Sequence, residues 1–327
     1  MKNYKIILRS PGAVTQLPDS QKIFGALVTE LSRMQGGEAA AELVRKVYNR
    51  EVHLALSNLF PLGFLPVPQD YIMEKLAERV SEEGKPGENL KELRAQIKER
   101  AYIREEQLSL VLKEPRSCCT IYPFIRESSG QQLRASLERD GWGIEYLEKK
   151  LFTVPVTILR EISGEGERES SGQTVSEFCF YLQADSDRTV EPVVSTAEQM
   201  ERTGRPLILG KRASQGLNKY YVNEILCLEE KLVDSDTGMY LNLGMLLPDQ
   251  IDYKKSCLKL FTSERKPFSM PGGWNQTYPR WFISFISCGS VVALRNGIEH
   301  AGRCVWSKFG EDKNLVFGNA FLYPIDL

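Results

Sequence analysis

The stretch Arg202–Asn223 constrains the fold of this chain more than any other segment. Within it the apolar run Leu207–Leu209 enters a polar loop bounded by Gly210 and Gly216, and the strand-like run Tyr220–Val222 follows. Glycine permits positive φ angles and lets a ligand come close to backbone N–H groups. Because the loop is predicted to open a strand, it does not match the dinucleotide fingerprint, which opens a helix. A Walker loop is also excluded, because the lysine follows the first glycine rather than the last.

The same stretch is a basic island in a chain whose formal net charge is -1. Its cations are Arg202, Arg205, Lys211, Arg212 and Lys219, and the next acidic residue is Glu224. Consecutive backbone N–H groups beside cationic side chains form an anion nest suited to phosphate. We therefore predict that the loop binds a polyanion other than a free nucleotide. RNA is the leading candidate, and an ordinary basic surface loop is the alternative.

The composition as a whole is that of a globular protein, with 42% hydrophobic and 26% charged residues among 327. That length provides for one large domain or two medium ones. The small net charge argues against a protein that coats nucleic acid with its entire surface, and it leaves room for one basic face.

Compartment and metal content follow from the cysteines and the N-terminus. The seven cysteines are an odd number without any C-x-x-C spacing, which predicts reduced thiols and no zinc site. The first ten residues read as a strand rather than a signal peptide, and no stretch approaches the roughly 20 apolar residues of a membrane span. We expect a cytoplasmic protein without a metal or a cofactor.

The first two-thirds of the chain alternate between strand and helix signals. In chain order these are a strand at Tyr4–Arg9, a helix capped by Asp19 or Ser20, a helix at Glu38–Tyr48, a proline-rich extended segment at Phe60–Pro68, a charged helical region that includes Lys91–Arg104, strands at Leu151–Ile162 and Val175–Gln183, a short helix at Thr196–Arg202 capped by Ser195, and a strand at Lys219–Leu228. This order is β-α-β-β-α-β with a large helical insertion before the second strand, as in ferredoxin-like and RRM-like folds.

The last third reads mainly as strand. The candidate strands are Met239–Leu243, Cys257–Phe261, Arg280–Ile286, Val291–Leu294 and Leu315–Ile325. We therefore predict an α+β protein with an N-terminal domain at 1–228, which contains the glycine loop and the insertion, and a second, smaller β-rich domain at 229–327.

No convincing catalytic constellation is visible in the sequence. The two histidines, His53 and His300, stand alone, and a lone histidine is more often structural than catalytic. Two Asp-Ser-Asp triplets, Asp185–Asp187 and Asp234–Asp236, resemble Mg²⁺ ligands but lie where turns favour these residues. Neither G-x-S-x-G nor H-E-x-x-H occurs. We expect no enzymatic activity.

A second basic set lies in the insertion. Arg94, Lys98 and Arg104 fall in a stretch read as one helix, and they could line a single basic stripe. A solvated helix face stabilised by ion pairs is the preferred interpretation. Contact with RNA or with a partner subunit is the alternative.

Four patches of this sequence resemble the CRISPR RAMP superfamily, specifically the subunit that caps the 5′ tag of the guide RNA in type III-A (Csm) effector complexes. They are DSQKIFGALVTEL at Asp19–Leu31, FPLGFLPVP at Phe60–Pro68, LGKRASQGLNKYY at Leu209–Tyr221, and a C-terminal group comprising MPGGW at Met270–Trp274, CGSVV at Cys288–Val292 and VFGNAFLYPI at Val316–Ile325. Together they span nearly the whole chain. The loop departs from the family pattern, with Leu209 and Leu217-Asn218 where glycines are usual.

The resemblance implies two ferredoxin-like (RAMP) domains and a non-catalytic subunit that grips the crRNA 5′ repeat tag. It also implies docking to the large polymerase/cyclase subunit and to the backbone RAMP subunit. The implied RNA-binding residues are Ser20, Gln21, Lys22, Gly210, Lys211, Arg212, Ala213, Ser214, Gln215, Gly216, Asn218 and Lys219. Within Arg116–Pro155 the family has a projecting hairpin that splays a nucleotide at the tag–spacer junction, and Trp274 is expected to be a core anchor.

Two other functions remain open at this stage. One is a RAMP endoribonuclease that processes the guide precursor, with His53 as its general base near the RNA groove. The other is a pure assembly scaffold whose basic loop binds an acidic protein face.

Overall fold

The computed structural model describes residues 1–83, 90–135, 151–166, 172–185, 188, 190–228, 238–264, 281–308 and 314–327. Trp274, most of the two Asp-Ser-Asp triplets and residues 136–150 of the expected hairpin lie outside these ranges.

Helices and strands alternate along the described chain. The helices are α1 (Ser20–Gln35), α2 (Gly37–Asn49), α3 (Gln69–Glu83), α4 (Leu90–Glu99), α5 (Leu108–Lys113) and α6 (Glu191–Thr203). The strands are β1 (Lys2–Arg9), β2 (Leu54–Leu56), β3 (Phe60–Pro61), β4 (Phe64–Pro66), β5 (Tyr102–Arg104), β6 (Phe124–Ala135), β7 (Leu151–Ile162), β8 (Gln173–Thr174), β9 (Glu177–Ala184), β10 (Pro206–Ile208), β11 (Lys219–Cys227), β12 (Met239–Asn242), β13 (Leu260–Ser263), β14 (Ile283–Ile286), β15 (Val291–Ala293), β16 (Val305–Trp306), β17 (Leu315–Val316) and β18 (Leu322–Pro324).

The central sheet has the strand order β10-β11-β1-β9-β2, and β3 also pairs with β9. All of these pairs are antiparallel. Along the chain, this sheet and the helices that cover it run β1, α1, α2, β2, β3, β9, α6, β10 and β11, which adds one helix and two strands to the predicted order. The second strand, however, is Leu54–Leu56 and not Leu151–Ile162. The latter is long and amphipathic enough to be recognised as a strand, but it belongs to another sheet.

Strand β9 shows why the central sheet is covered on both faces. Phe178 and Phe180 pack among the helices, whereas Cys179 and Tyr181 pack on the opposite face. Because successive side chains of a strand point to opposite faces, a strand that is apolar throughout is buried on both sides.

The helical face of the sheet is covered by α1, α2 and α6. Helix α1 begins at Asp19, whose carboxylate accepts the N–H of Lys22 at 2.9 Å, and it buries Ile23, Leu27 and Leu31 at helical spacing. Helix α6 was predicted from Thr196 with Ser195 as its cap, but it begins at Glu191. Its start is set by Pro192, which is favoured in a first turn.

The insertion forms a second sheet of order β4-β5-β6-β7-β8. Its longest pair is β6–β7, a 12-residue ribbon paired from Phe124–Ile162 to Ala135–Leu151. The predicted basic helix is shorter than expected, because α4 ends at Glu99 and Arg104 lies on β5. Arg94, Lys98 and Arg104 therefore do not form one helical stripe.

The C-terminal part contains the sheet β15-β12-β18 and the hairpins β13–β14 and β16–β17. It packs into the same cores as the N-terminal part: Phe317 stacks on Phe24 with ring centroids 4.3 Å apart, and Phe321 lies near Tyr181. Among the described residues from 238 onward the only helical element is a single 3-10 turn, Ile298–His300. A helix suited to crossing a membrane does not occur anywhere in the described ranges.

Candidate nucleic-acid interface

The glycine loop connects β10 to β11 and has a defined backbone. Its ends are closed by a hydrogen bond from Leu209 N–H to Asn218 O at 3.1 Å, and Ala213–Gln215 form one 3-10 turn between them. Arg212 and Gly216 flank this turn with φ angles of 67° and 79°, both in the left-handed region. Glycine adopts such angles without strain, whereas arginine needs support from its surroundings.

Asn218 holds the loop from inside. Its side chain is fully buried, accepts the Thr15 N–H at 2.9 Å, and donates to Thr15 Oγ1 at 2.8 Å and to Lys211 O at 2.9 Å. It also occupies the space beside Gly210, where an added Cβ would lie 2.9 Å from Asn218 Nδ2. The departure from the family glycine pattern thus places an internal brace in the loop.

The segment Ser10–Pro18, which follows β1, packs between the glycine loop and the ribbon β6–β7. A Cβ on Gly12 would lie 2.3 Å from Gly216 O, so the two backbones are in direct contact. On the other side Thr157 N–H donates to Val14 O at 2.7 Å. This segment is therefore the element that sets the distance between loop and ribbon.

Two residues of the ribbon meet the loop directly. Arg134 Nη1 donates to Gln215 O at 2.8 Å, and the guanidinium of Arg212 lies 5.6 Å from the centroid of the Phe152 ring. Arg134 and Phe152 are cross-strand neighbours in β6–β7. Local sequence patterns do not single them out, because β6 is mostly polar and exposed and its pairing with β7 joins distant segments.

The loop presents a mainly exposed, cationic surface. Lys211, Arg212, Ser214, Gln215 and Gly216 are exposed, and Gly210, Ala213 and Lys219 are half-buried. Arg202 and Arg205 lie apart from them near the end of α6, where Arg205 pairs with the buried Glu30 at 3.1 Å. The basic island of the sequence is therefore divided into two groups. Lys211, Arg212 and Lys219 belong to the loop and the strand that follows it. Arg202 and Arg205 lie at or just beyond the end of α6.

The predicted residues at the start of α1 are mostly engaged within the protein. Ser20 is fully buried and its Oγ accepts the Met245 N–H at 3.0 Å. The Gln21 side chain accepts the Phe317 N–H at 2.6 Å and donates to Leu315 O at 3.1 Å. Lys22 reaches Gln16 at 3.2 Å on the surface. Of the three, Lys22 alone makes a side-chain hydrogen bond to the segment Ser10–Pro18, through Gln16.

The other basic candidates have structural partners. Arg104 pairs with Glu161 at 2.9 Å and lies over the Phe64 ring, and Arg100 is buried, donating to Cys119 O at 2.6 Å. Arg100, which lies in the same charged stretch, therefore does not belong to a solvated helix face. Arg94 and Lys98 are exposed on α4.

His53 lies far from the glycine loop. It precedes β2 and meets the end of β9, where its Nε2 is 2.9 Å from Gln183 Oε1 and its N–H donates to the Asp185 carboxylate. Burial lowers its pKa below the ordinary value for histidine, and the Gln183 hydrogen bond opposes that shift. The pairing of β2 places His53 near the Lys2 end of β1, whereas the loop lies beyond the Arg9 end. A strand of this length separates the two by about 23 Å.

The described ranges contain no cluster of three or more His, Cys, Asp or Glu side chains arranged to hold a metal ion.

Comparison with known proteins gives a fold. No family model matches the chain, and no curated protein matches its sequence. Among solved structures, the chain resembles a chain of a Csm1-Csm4 cassette in complex with cA4, with a TM-score of 0.54 and 15% identity over 99% of this chain and 98% of the other. It resembles a chain of the cassette in complex with AMPPNP at a TM-score of 0.53 and 16% identity, over 100% and 99% of the two chains. It also resembles a chain of the Csm3-Csm4 subcomplex of the type III-A CRISPR-Cas interference complex at a TM-score of 0.50 and 14% identity, over the full length of both.

The subunit common to these assemblies is Csm4, and the present chain has its fold from end to end. The resemblance inferred from the four sequence patches is confirmed at the level of the fold.

Proposed function

We propose that this chain is a non-catalytic RNA-binding subunit of a type III CRISPR effector complex. In this proposal it grips the 5′ repeat tag of the crRNA and bridges the large polymerase/cyclase subunit to the backbone RAMP subunits in antiviral defence. The central sheet with its helices is the first of two RAMP domains. The full-length likeness to subunits of Csm1-Csm4 and Csm3-Csm4 assemblies supports both the complex and the two kinds of partner.

The observation that carries RNA binding is the construction of the glycine loop. It offers Lys211 and Arg212 beside exposed backbone, and the buried side chain of Asn218 fixes that backbone from below. Phosphates are held by such cations and N–H groups, while the bases of single-stranded RNA are left free to be stacked or read on their edges. Phe152 and Arg134 on the ribbon adjoin the same surface and supply an aromatic face and a further cation.

The endoribonuclease alternative is weakened by the position of its proposed base. His53 is engaged with Gln183 and Asp185 at the far end of the central sheet from the loop. A general base must lie within hydrogen-bonding distance of the proton it removes.

The test measures binding of labelled crRNA, with and without its 5′ tag, to the wild type and to the double variant Lys211→Ala/Arg212→Ala. A matched control is Lys254→Ala/Lys255→Ala, which removes two adjacent exposed lysines from the C-terminal part. Binding is measured at several salt concentrations, because each phosphate contact with single-stranded RNA contributes about 0.7 to the slope of log K against log salt.

We expect tag-dependent binding by the wild type and by the control, and a slope reduced by about 1.4 in the loop variant if both cations contact phosphates. Binding that ignores the tag and survives in the loop variant would favour the scaffold alternative. Cleavage of the RNA on the same gels would overturn the non-catalytic assignment. Co-purification with each partner subunit, with and without crRNA, tests the bridging role.

A further inference from the structure

A cavity of about 730 Å³ lies beside the candidate RNA surface. Its walls are the base of the ribbon β6–β7, the end of α4, the segment Leu17–Pro18, and Lys259 and Gly289 of the C-terminal part. Its volume is within the usual range of ligand sites, about 300–1,000 Å³. Apolar groups such as Phe60 and Val67 alternate in its lining with polar groups such as Ser129.

The charges of this cavity balance. Its acidic residues are Asp70, Glu99 and Glu127, and its basic residues are Lys98, Arg126 and Lys259. Arg126 and Glu99 form an ion pair with each other. A balanced lining does not favour a polyphosphate, which needs a surplus of cations. It suits a neutral ligand with several hydrogen-bonding groups and an apolar face, and a nucleobase has both.

The cavity is linked to the glycine loop through the segment Ser10–Pro18. Thr157 lines the cavity, and its Oγ1 donates to Thr15 O at 3.3 Å. Thr15 is in turn the residue that Asn218 holds under the loop, and Leu17–Pro18 reach the cavity wall. Three Cα–Cα steps separate Thr15 from Pro18, which is at most about 11 Å. An RNA strand on the loop therefore comes within a few nucleotides of the cavity.

Glu127 gives this wall its selective group. It lies on β6 in the lining of the cavity, and its carboxyl interacts with the Tyr102 hydroxyl. Burial raises the pKa of the Glu127 carboxyl, and the interaction with Tyr102 opposes that shift. A carboxylate recognises a base by accepting a hydrogen bond from an exocyclic amine, as it does with cytosine N4.

We propose that this cavity receives one base of the RNA strand held at the glycine loop, and that Glu127 selects a base with an exocyclic amine (adenine, cytosine or guanine) over uracil. The inference rests on the proposed function, because the strand must already lie on the loop. Lys98 and Lys259 at the rim are placed to meet the phosphates on either side of the inserted nucleotide.

The experiment removes the amine from the RNA and the acceptor from the protein. Each adenosine of the tag is replaced singly by purine riboside, each cytidine by pyrimidin-2-one riboside and each guanosine by inosine, which lack only the amine. The full-length wild type, Glu127→Ala, Glu127→Gln and the control Glu38→Ala, an exposed residue in the first turn of α2, are titrated with the series. Thermal unfolding of each variant verifies that it is folded.

We expect one tag position at which removing the amine weakens binding to the wild type and the control about tenfold. That penalty should vanish in Glu127→Ala and should be smaller in Glu127→Gln, which keeps a neutral acceptor. Such non-additivity between the protein and RNA changes shows that Glu127 and this amine interact. Lys211→Ala/Arg212→Ala should weaken the whole series equally.

Other results separate the two proposals. If the wild type binds the tag through the loop but no amine substitution matters, or if Glu127→Ala retains the penalty, the cavity proposal is wrong and the function stands. If Glu127→Ala instead weakens only the binding of a partner subunit, the cavity holds protein and the proposal is likewise wrong. A wild type that does not bind the RNA series overturns the function, and the cavity proposal with it.

Discussion

At the scale of single residues, the glycine loop depends on an asparagine more than on its glycines. Asn218 has a φ angle of 54° and satisfies three hydrogen-bonding partners from a buried position. Asparagine tolerates left-handed backbone better than most residues, which explains its place here. Its role is to position Lys211 and its neighbours, and its side chain is not free to contact RNA.

Asn218→Ala is expected to destabilise the protein by about 2–4 kcal/mol, because it leaves buried partners unsatisfied and strains a left-handed position. Denaturant unfolding measures the loss. The matched control is Asn223→Ala on the exposed side of β11, which should change stability by no more than about 0.5 kcal/mol. An Asn218→Ala protein as stable as this control would show that the brace is not needed.

A second residue-scale prediction concerns His53. Its pKa is lowered by burial from 6.5, so below about pH 6.5 the unfolded chain takes up a proton that the folded chain does not. The free energy of unfolding therefore decreases as the pH falls from about 6.5 towards the folded-state pKa, by up to about 1.4 kcal/mol per pH unit.

Urea unfolding between pH 5 and 8 tests this, with His53→Gln as the variant and His300→Gln as the control that removes the exposed histidine. His53→Gln should show a shallower pH dependence than the wild type, whereas His300→Gln should follow the wild type. Identical pH slopes for the wild type and His53→Gln would contradict the prediction.

At the scale of elements, the candidate interface is a stack of three: the glycine loop, the segment Ser10–Pro18 and the ribbon β6–β7. Gly12 contacts the backbone of Gly216, and Val14 bridges to Thr157. Taken alone, the loop and the segment have little regular secondary structure, and the ribbon is a long pair of strands. The contacts between them fix the spacing of the cations Lys211, Arg212 and Arg134.

Gly12→Ala should displace the glycine loop, because its Cβ would lie 2.3 Å from Gly216 O. The expected cost is about 1–3 kcal/mol, as for other overpacked positions, together with weaker RNA binding. Gly25→Ala is the control: it lies exposed in α1 with no atom within 4 Å of the added Cβ, so it should stabilise the protein by about 0.5–1 kcal/mol. Unchanged stability and RNA affinity in Gly12→Ala would contradict the close approach.

At the scale of the whole molecule, the C-terminal part is joined to the N-terminal part by shared cores and by a set of hydrogen bonds. Gln21 bonds to the backbone on both sides of Val316, Ser20 accepts from Met245, and Phe317 stacks on Phe24. The domain boundary between residues 228 and 229 stays a prediction. The packing implies that the two parts unfold together.

We therefore expect one cooperative transition in calorimetry, with equal calorimetric and van't Hoff enthalpies. Gln21→Ala should lower the stability of that single transition by about 1–3 kcal/mol, because it leaves buried backbone groups of the C-terminal part without partners. Gln199→Ala, on the exposed face of α6, is the control and should have little effect. Two separate transitions in the wild type would show instead that the parts are independent.

The sequence by itself determined the local elements and the identity of the loop. The spacing of Ile23, Leu27 and Leu31, the cap at Asp19 and the apolar runs of β1, β9 and β11 fix helices and strands through interactions within a few residues. The glycines and cations of Gly210–Gly216 likewise predict an anion-binding loop, because tolerance of positive φ and charge are properties of the residues themselves.

Only the tertiary structure decided which strands share a sheet and which polar residues remain accessible. The amphipathic strand β7 reads equally well in either sheet, and its pairing with β6 is a contact between distant segments. Ser20, Gln21 and Asn218 look like ligand residues in the sequence, yet their hydrogen bonds are taken by Met245, Phe317 and Thr15. The burial of a side chain and its hydrogen-bond partners depend on residues far away along the chain. For this reason they cannot be read from local sequence patterns.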